Sequence, residues 1–253
     1  MTAPAPTPLD VTVDDGPTGT GSRGTRILGV LTLLGVVVLV AMGMFISKPD
    51  TELGETVRLM YVHVPSATAA YLGCFLVTLG SAMYLWKRSE WWDLVAQAAA
   101  PIATLFTALA LVTGSLWGRP TWGVYWVWDA RLTSTAMLFM LLLGYLALRG
   151  VPAEAGVRAK RAAVVGCLLV PNVIIVNRSV EWWRSLHQKS TVVRMNPEID
   201  GTQLLTLAIG FAVVGLYFTW LLIHRFRVAH LEHQIEEQGL SEAIVARRAE
   251  GRV

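Results

Sequence analysis

Residues 117–133 read WGRPTWGVYWVWDARLT, with four tryptophans and one tyrosine among the first twelve positions. The apolar residues of this stretch follow neither the two-residue period of a strand nor the 3.6-residue period of a helix. Glycine and proline interrupt it, and it ends in an Asp-x-Arg sequence. We therefore predict that residues 117–133 form a non-regular or short amphipathic loop that displays flat aromatic surface.

The composition is that of an integral membrane protein. Of the 253 residues, 54% are apolar and only 15% are charged, and the mean hydropathy is +0.51. Soluble domains contain about 25% charged residues. The net charge of +3 could suggest nucleic-acid binding, but the basic residues neither cluster on one face nor form a nucleic-acid-binding motif. We expect this chain to lie in a lipid bilayer and to bind no nucleic acid.

Apolar blocks predict the fold class. Most of them are long enough to cross about 30 Å of hydrocarbon as helices. The fifth is the weakest, because it is short and contains Pro171 and Asn172. We predict an all-α integral membrane protein with six transmembrane helices and the Trp-rich loop between helices three and four. The predicted spans cover residues 27–46, 61–86, 94–117, 132–148, 162–176 and 204–223.

Composition also divides the chain along its length. Residues 1–22 are rich in Thr, Pro, Gly and Asp and hold no aromatic residue, which predicts a disordered arm. Residues 23–228 form the predicted six-span domain, and residues 229–253 form a charged tail. Lysine and arginine are denser in the short connections that share a side with both termini, so we predict cytoplasmic termini and an outer position for the loop 117–133.

Histidine and arginine near the predicted outer side indicate a ligand. His63 and His187 lie at span ends there, and two neutral imidazoles can hold a haem iron axially. Aromatic side chains would stack on the macrocycle, and Arg119, Arg131 or Arg184 could pair with its propionates. Two other interpretations remain open: single histidines are usually ordinary interface residues, and tryptophans form belts at membrane surfaces. A belt accounts poorly for four tryptophans within twelve residues.

Asp129 and Arg131 each have a structural and a functional interpretation. Asp129 directly precedes the fourth predicted span, where a carboxylate accepts hydrogen bonds from the first free amides of the helix. Arg131 could reach along the helix to the membrane interface. Alternatively, both side chains belong to a surface that a partner recognises.

The sequence holds no motif for redox or ATP chemistry. Cys74 and Cys167 form neither a Cys-x-x-Cys pair nor a haem-attachment motif, and the phosphate-binding Gly-x-x-x-x-Gly-Lys-[Ser/Thr] sequence is absent. Both cysteines lie inside apolar blocks, where packing is their usual role. We therefore expect neither redox chemistry nor ATPase activity of this chain.

The same residues resemble a known family. Segment 117–133 is similar to the tryptophan-rich WWD signature of the haem-handling proteins of cytochrome c maturation, and its Trp-Asp-Ala-Arg-Leu-Thr ending resembles the CcmC family. Segments 60–65 and 179–188 are similar to the histidine-bearing segments of that family, and segments 100–102 and 111–115 to its third span. The resemblance covers about residues 26–224. Three features depart from the family pattern. Many members carry Trp at the position of Tyr125, the N-terminal arm is longer than expected, and Pro171 is displaced from its usual position.

The resemblance implies a function in haem delivery. It implies that haem b binds non-covalently and transiently at the outer face of the bacterial cytoplasmic membrane, with His63 and His187 as axial ligands, and passes to a CcmE-like haem chaperone. The implied partners are the ATP-binding-cassette subunits CcmA and CcmB, which would hydrolyse ATP, and a small CcmD-like membrane protein. The residues that would hold haem and present it to the chaperone are Trp117, Gly118, Trp122, Tyr125, Trp126, Trp128, Asp129 and Arg131.

The residues can also be compared with the needs of two other functions. As the haem-permeating subunit of an ABC-type exporter, the chain would need polar or ionisable residues inside its spans. The predicted spans offer Gln97, Asn172 and hydroxyl residues and no buried charge, so a path would have to be shared with partner subunits. An oxidoreductase or a covalent haem lyase would need more histidines in the spans or a catalytic thiol, and the sequence indicates neither.

Overall fold

The computed structural model of this chain describes residues 19–187 and 199–250. Six helices in these residues are long and apolar enough to cross a membrane, which confirms the predicted fold class. A π-helical turn, Met42–Ile46, extends the first helix, and a 3-10 helix, Glu55–Leu59, leads into the second. The helices are α1 Arg23–Ala41, α2 Met60–Lys87, α3 Glu90–Trp122, α4 Ala130–Gly150, α5 Ala155–Trp182 and α6 Gly201–Glu250.

The Trp-rich segment is mostly helical, so the prediction of a loop over 117–133 is wrong at both ends. Trp117–Trp122 form the last turns of α3, and Ala130 begins α4, so only residues 123–129 are non-helical. Gly123 ends α3 with φ 78°, and its amide donates to the Arg119 carbonyl at 3.0 Å. A glycine in this left-handed conformation is a common helix terminator, whereas the glycine and proline at 118 and 120 lie inside the helix.

The fifth helix is longer than predicted. It covers Ala155–Trp182, and Pro171 lies within it. The helix therefore extends beyond the predicted span 162–176 at both of its ends. Residues 188–198, in the same connection, and most of the predicted arm 1–22 lie outside the described residues. The described part of the predicted tail continues α6 as a helix.

Small residues fix α3 against α2. A Cβ atom at Gly73 would lie 2.8 Å from the Ala103 Cβ, and one at Gly80 would lie 2.7 Å from the Trp92 carbonyl oxygen. Such close approach of two helix backbones is typical of small-residue interfaces in membrane proteins. The α2–α3 interface is the most extensive in the described structure. It thereby sets the position of the C-terminal turns of α3 relative to the start of α2.

A partly buried ion pair lies at the opposite end of the bundle, just outside the predicted spans 94–117 and 132–148. Arg149 of α4 donates from both terminal nitrogens to Asp93 of α3, each at 2.7 Å, and also to Gln97 Oε1 at 2.9 Å. The two charged side chains are 10% and 15% exposed. The bidentate geometry accounts for the burial, because each charge has its counter-ion and its hydrogen bonds.

Candidate functional site

His63 is held between α2 and α3. It lies in the first turn of α2 and is half-buried. Its Nδ1 atom is 3.0 Å from Thr113 Oγ1 of α3. Its ring meets the Trp117 ring edge-on, with centroids 5.7 Å apart and an interplanar angle of 76°. A Cβ atom at Gly114 would lie 3.0 Å from His63 Cε1, so the missing side chain at that position leaves room for the imidazole.

His187 is positioned by the residues that follow α5. It is half-buried, and its ring meets the Trp122 ring edge-on at 6.3 Å. Its backbone N–H donates to Ser185 Oγ at 3.1 Å, and the Ser185 hydroxyl donates to Asp129 Oδ2 at 2.6 Å. A side-chain link from the start of α4 therefore fixes the short segment that carries this histidine.

The two imidazoles converge on one helix end. His63 contacts Trp117 and His187 contacts Trp122, and both tryptophans belong to the last two turns of α3. His63 interacts electrostatically with both His187 and Arg131. These five predicted site residues, distant in the sequence, therefore lie together at one end of the bundle.

Asp129 caps α4, as one of its two interpretations predicted. Its Oδ1 accepts from the Leu132 amide at 2.8 Å while its other carboxylate oxygen accepts from Ser185. Arg131 donates from Nη2 to the Asn177 carbonyl of α5 at 3.1 Å, so it links α4 to α5. The helix cap and the link to the His187 segment are two structural roles of the same carboxylate.

The remaining predicted site residues lie in or beside the connection 123–129. The Arg119 guanidinium lies 5.8 Å from the centre of the Tyr125 ring and also donates to the Gly123 carbonyl. The rings of Trp126 and Trp128 meet edge-on at 5.5 Å. Arg184 lines a cavity of about 330 Å³ beside this connection. We call Tyr125, Trp126 and Trp128 the aromatic rim; Gly118 lies behind it, where a Cβ atom would be 3.1 Å from the Trp122 ring.

Comparison with known proteins decides the family. The family model described as CcmC, Heme exporter protein C, matches residues 19–241. The chain belongs to this family. It is 37% identical over 211 residues to Heme exporter protein C of Bradyrhizobium diazoefficiens, covering 82% of this chain and 80% of that protein. Heme exporter protein C of Haemophilus influenzae is 36% identical over 211 residues, with 81% and 84% covered.

A plant relative extends the comparison. A putative cytochrome c biosynthesis ccmC-like mitochondrial protein of Marchantia polymorpha is 34% identical over 181 residues, covering 70% of this chain and 77% of that protein. The resemblance to the CcmC family expected from the sequence is thus confirmed. With six apolar helices among its described residues, this CcmC family member is a multi-pass membrane protein.

Three residues of the CcmC site were not among the predicted site residues. Thr113 and Gly114 contact His63, and Ser185 links His187 to Asp129. Thr113 and Gly114 belong to segment 111–115, which already resembled the family, but nothing in that segment indicated a histidine as its neighbour. Ser185 lies two residues before His187, and its contact with α4 depends on the tertiary fold.

Replacing Asp129 should destabilise both the first turn of α4 and the segment that carries His187. Asp129→Ala removes the cap of α4, which costs about 1 kcal/mol, and the acceptor for Ser185. We expect faster hydrogen exchange at both the Leu132 and the His187 amides. Asp129→Ser keeps a capping oxygen but is too short to reach Ser185, so only the His187 amide should exchange faster. Unchanged exchange at His187 in the alanine variant would show that the link does not position this segment.

Proposed function

We propose that this CcmC family member binds haem b non-covalently and transiently, with His63 and His187 as axial ligands, and hands it to a CcmE-like haem chaperone during cytochrome c maturation. One observation carries the proposal: histidines from two separate segments contact the same end of α3. The ring centroids of His63 and Trp117 are 5.7 Å apart, and those of His187 and Trp122 are 6.3 Å apart. Two imidazoles are the ligand set of a six-coordinate haem, and the tryptophans offer the flat apolar surface that a macrocycle needs.

Three hydrogen-bond donors at this end of the bundle also support an anionic ligand. Trp117 Nε1, Trp126 Nε1 and Arg131 Nε are buried and have no acceptor among the described residues. Leaving a buried donor unpaired costs about 1–3 kcal/mol. The propionate carboxylates of haem are strong acceptors, and charge-assisted bonds to them would offset this cost. Arg119 and Arg184, at the rim, are the other propionate partners we propose.

The aromatic rim is the surface we propose for the chaperone. Trp128 is 81% exposed and Tyr125 is 57% exposed, and both lie in the short connection that follows Trp122. Exposed aromatic residues clustered in this way mark protein interaction sites and supply much of their binding energy. The rim adjoins the proposed haem site, so a docked chaperone would have direct access to the haem edge.

The remaining parts of the proposal concern location and partners. We place the chain in the bacterial cytoplasmic membrane with both termini in the cytoplasm and the aromatic rim on the outer side. The reason is that lysine and arginine are denser in the short connections that share a side with both termini. The chain acts by binding and transfer and is not an enzyme. ATP hydrolysis belongs to CcmA of a CcmA–CcmB pair, and a CcmD-like protein completes the complex.

A transfer measurement tests the delivery role. The haem-loaded chain, purified with its partner subunits, is mixed with haem-free chaperone, and the haem that reaches the chaperone is followed over time. Trp128→Ala should leave haem bound but slow transfer about tenfold or more, the usual range for an aromatic hot spot. Trp86→Ala is the matched control, because Trp86 is 77% exposed at the far end of α2.

Two outcomes would contradict the proposal at different points. Equal transfer by Trp128→Ala and the wild type would remove the aromatic rim as the docking surface. Absence of haem from the purified wild-type complex would contradict haem binding itself.

A further inference from the structure

The contact between His63 and Thr113 determines which nitrogen of the imidazole carries its proton. Thr113 is 8% exposed, and its Oγ1 lies 2.7 Å from the Leu109 carbonyl oxygen and 3.0 Å from His63 Nδ1. A threonine hydroxyl has one proton to donate. A carbonyl oxygen can only accept, so the proton points to Leu109. The hydroxyl oxygen then accepts a hydrogen bond, and His63 Nδ1–H is its donor.

A second acceptor for the hydroxyl proton supports this assignment. The Ala110 carbonyl oxygen also accepts from Thr113 Oγ1, at 3.4 Å. Two carbonyl oxygens therefore share the one hydroxyl proton, and the lone pairs of the hydroxyl oxygen are left to face His63 Nδ1. The nitrogen that faces them is then the one that carries the proton. The neutral imidazole then keeps its lone pair on Nε2.

Gly114 fixes the depth of the ring. A Cβ atom at this position would lie 3.0 Å from His63 Cε1 and 3.5 Å from Nδ1. A side chain at this position would push the imidazole away from α3 by a few tenths of an ångström, so the glycine favours the close approach of the ring to Thr113. The two neighbouring residues act together, one as acceptor and one as the space for the ring.

We propose that Thr113 is a positioning residue that holds His63 as the Nδ1–H tautomer and so makes Nε2 the iron-binding atom. This inference rests on the proposed function, because it takes His63 to be a haem ligand. An acceptor on the outer N–H of a ligating histidine orients the ring and raises the basicity of the ligating nitrogen. A more basic ligand stabilises ferric over ferrous iron, so Thr113 also lowers the reduction potential of the bound haem.

Two variants at residue 113 test the inference in the intact complex. Thr113→Val keeps the size of the side chain and removes the acceptor, and Thr113→Ser keeps the hydroxyl. We expect the valine variant to retain haem about tenfold less tightly, the range found for supporting residues of metal ligands, and its reduction potential to shift upward. The serine variant should match the wild type. In a His63→Ala background, Thr113→Val should cause no further shift.

The outcomes separate this inference from the proposed function. If His63→Ala changes the haem spectrum but Thr113→Val keeps the wild-type potential, the tautomer assignment is overturned and haem binding by His63 stands. If His63→Ala leaves the spectrum unchanged, the proposed ligand itself is wrong.

A ligand exchange replaces the valine variant if that variant does not accumulate. In His63→Gly, added imidazole has an N–H that can donate to Thr113, whereas 1-methylimidazole has none. Imidazole should restore the wild-type potential, and 1-methylimidazole should bind less tightly or give a higher potential. Equal affinities and potentials with the two ligands would overturn the inference.

Discussion

Replacing His63 or His187 with alanine should leave either a five-coordinate haem or a site without haem, in place of the six-coordinate, low-spin haem of the wild type. Each imidazole supplies one of the two proposed axial bonds, and each also contacts a tryptophan of α3. Losing a ligand is at least as costly as losing its supporting residue, so the haem retained through purification should fall about tenfold or more. The visible absorption spectrum of each purified variant measures both the spin state and the haem content.

Histidines elsewhere in the chain provide the control. His230 is carried by α6, beyond the residues that pack against the start of α2, and it is also half-buried. His230→Ala should therefore keep the wild-type spectrum and haem content. A low-spin spectrum that survives unchanged in both His63→Ala and His187→Ala would contradict the axial assignment.

A leucine at Gly80 should prevent the bundle from folding correctly. A Cβ atom there would lie 2.7 Å from the Trp92 carbonyl oxygen and 2.9 Å from the Ala96 amide nitrogen. Both are backbone atoms, so no side chain can move aside and the two helices must separate. Overpacking of this kind costs about 3 kcal/mol, and here it also opens the contacts of Cys74 and Val77 in the largest buried cluster.

The measurement is the amount of folded protein in the membrane and its melting temperature after purification. Gly144→Leu is the matched control, because Gly144 lies in the middle of α4 and has nothing within 4 Å of a Cβ atom. It should accumulate and melt like the wild type. Equal behaviour of the two leucine variants would show that the α2–α3 contact does not limit stability.

The helices could be predicted from the sequence because apolar blocks of spanning length have few alternatives to a transmembrane helix. Their ends were harder to place. Gly118 and Pro120 suggested a break, yet α3 continues to Trp122, because a helix end is set by local backbone geometry, here the positive φ of Gly123. The pair of Asp93 and Arg149 was missed since both residues lie at block edges, where sequence gives no partner.

The site residues could be proposed from the sequence, but their arrangement could not. His63, His187 and the tryptophans were recognisable from their residue types and from the resemblance to the CcmC family. Their proximity depends on the α2–α3 contact and on the link from Asp129 to Ser185, which join segments far apart in the chain. Thr113 has no chemical signature of its own, so its role emerges only beside His63.

The most direct test of haem binding between His63 and His187 is the nitrogen hyperfine spectrum of ferric haem in the complex, prepared with ¹⁵N-labelled histidine. We predict low-spin iron coupled to two histidine nitrogens in the wild type, and the loss of one coupling in each of His63→Ala and His187→Ala. High-spin iron in the wild type, or two histidine couplings that persist in His63→Ala, would contradict the account.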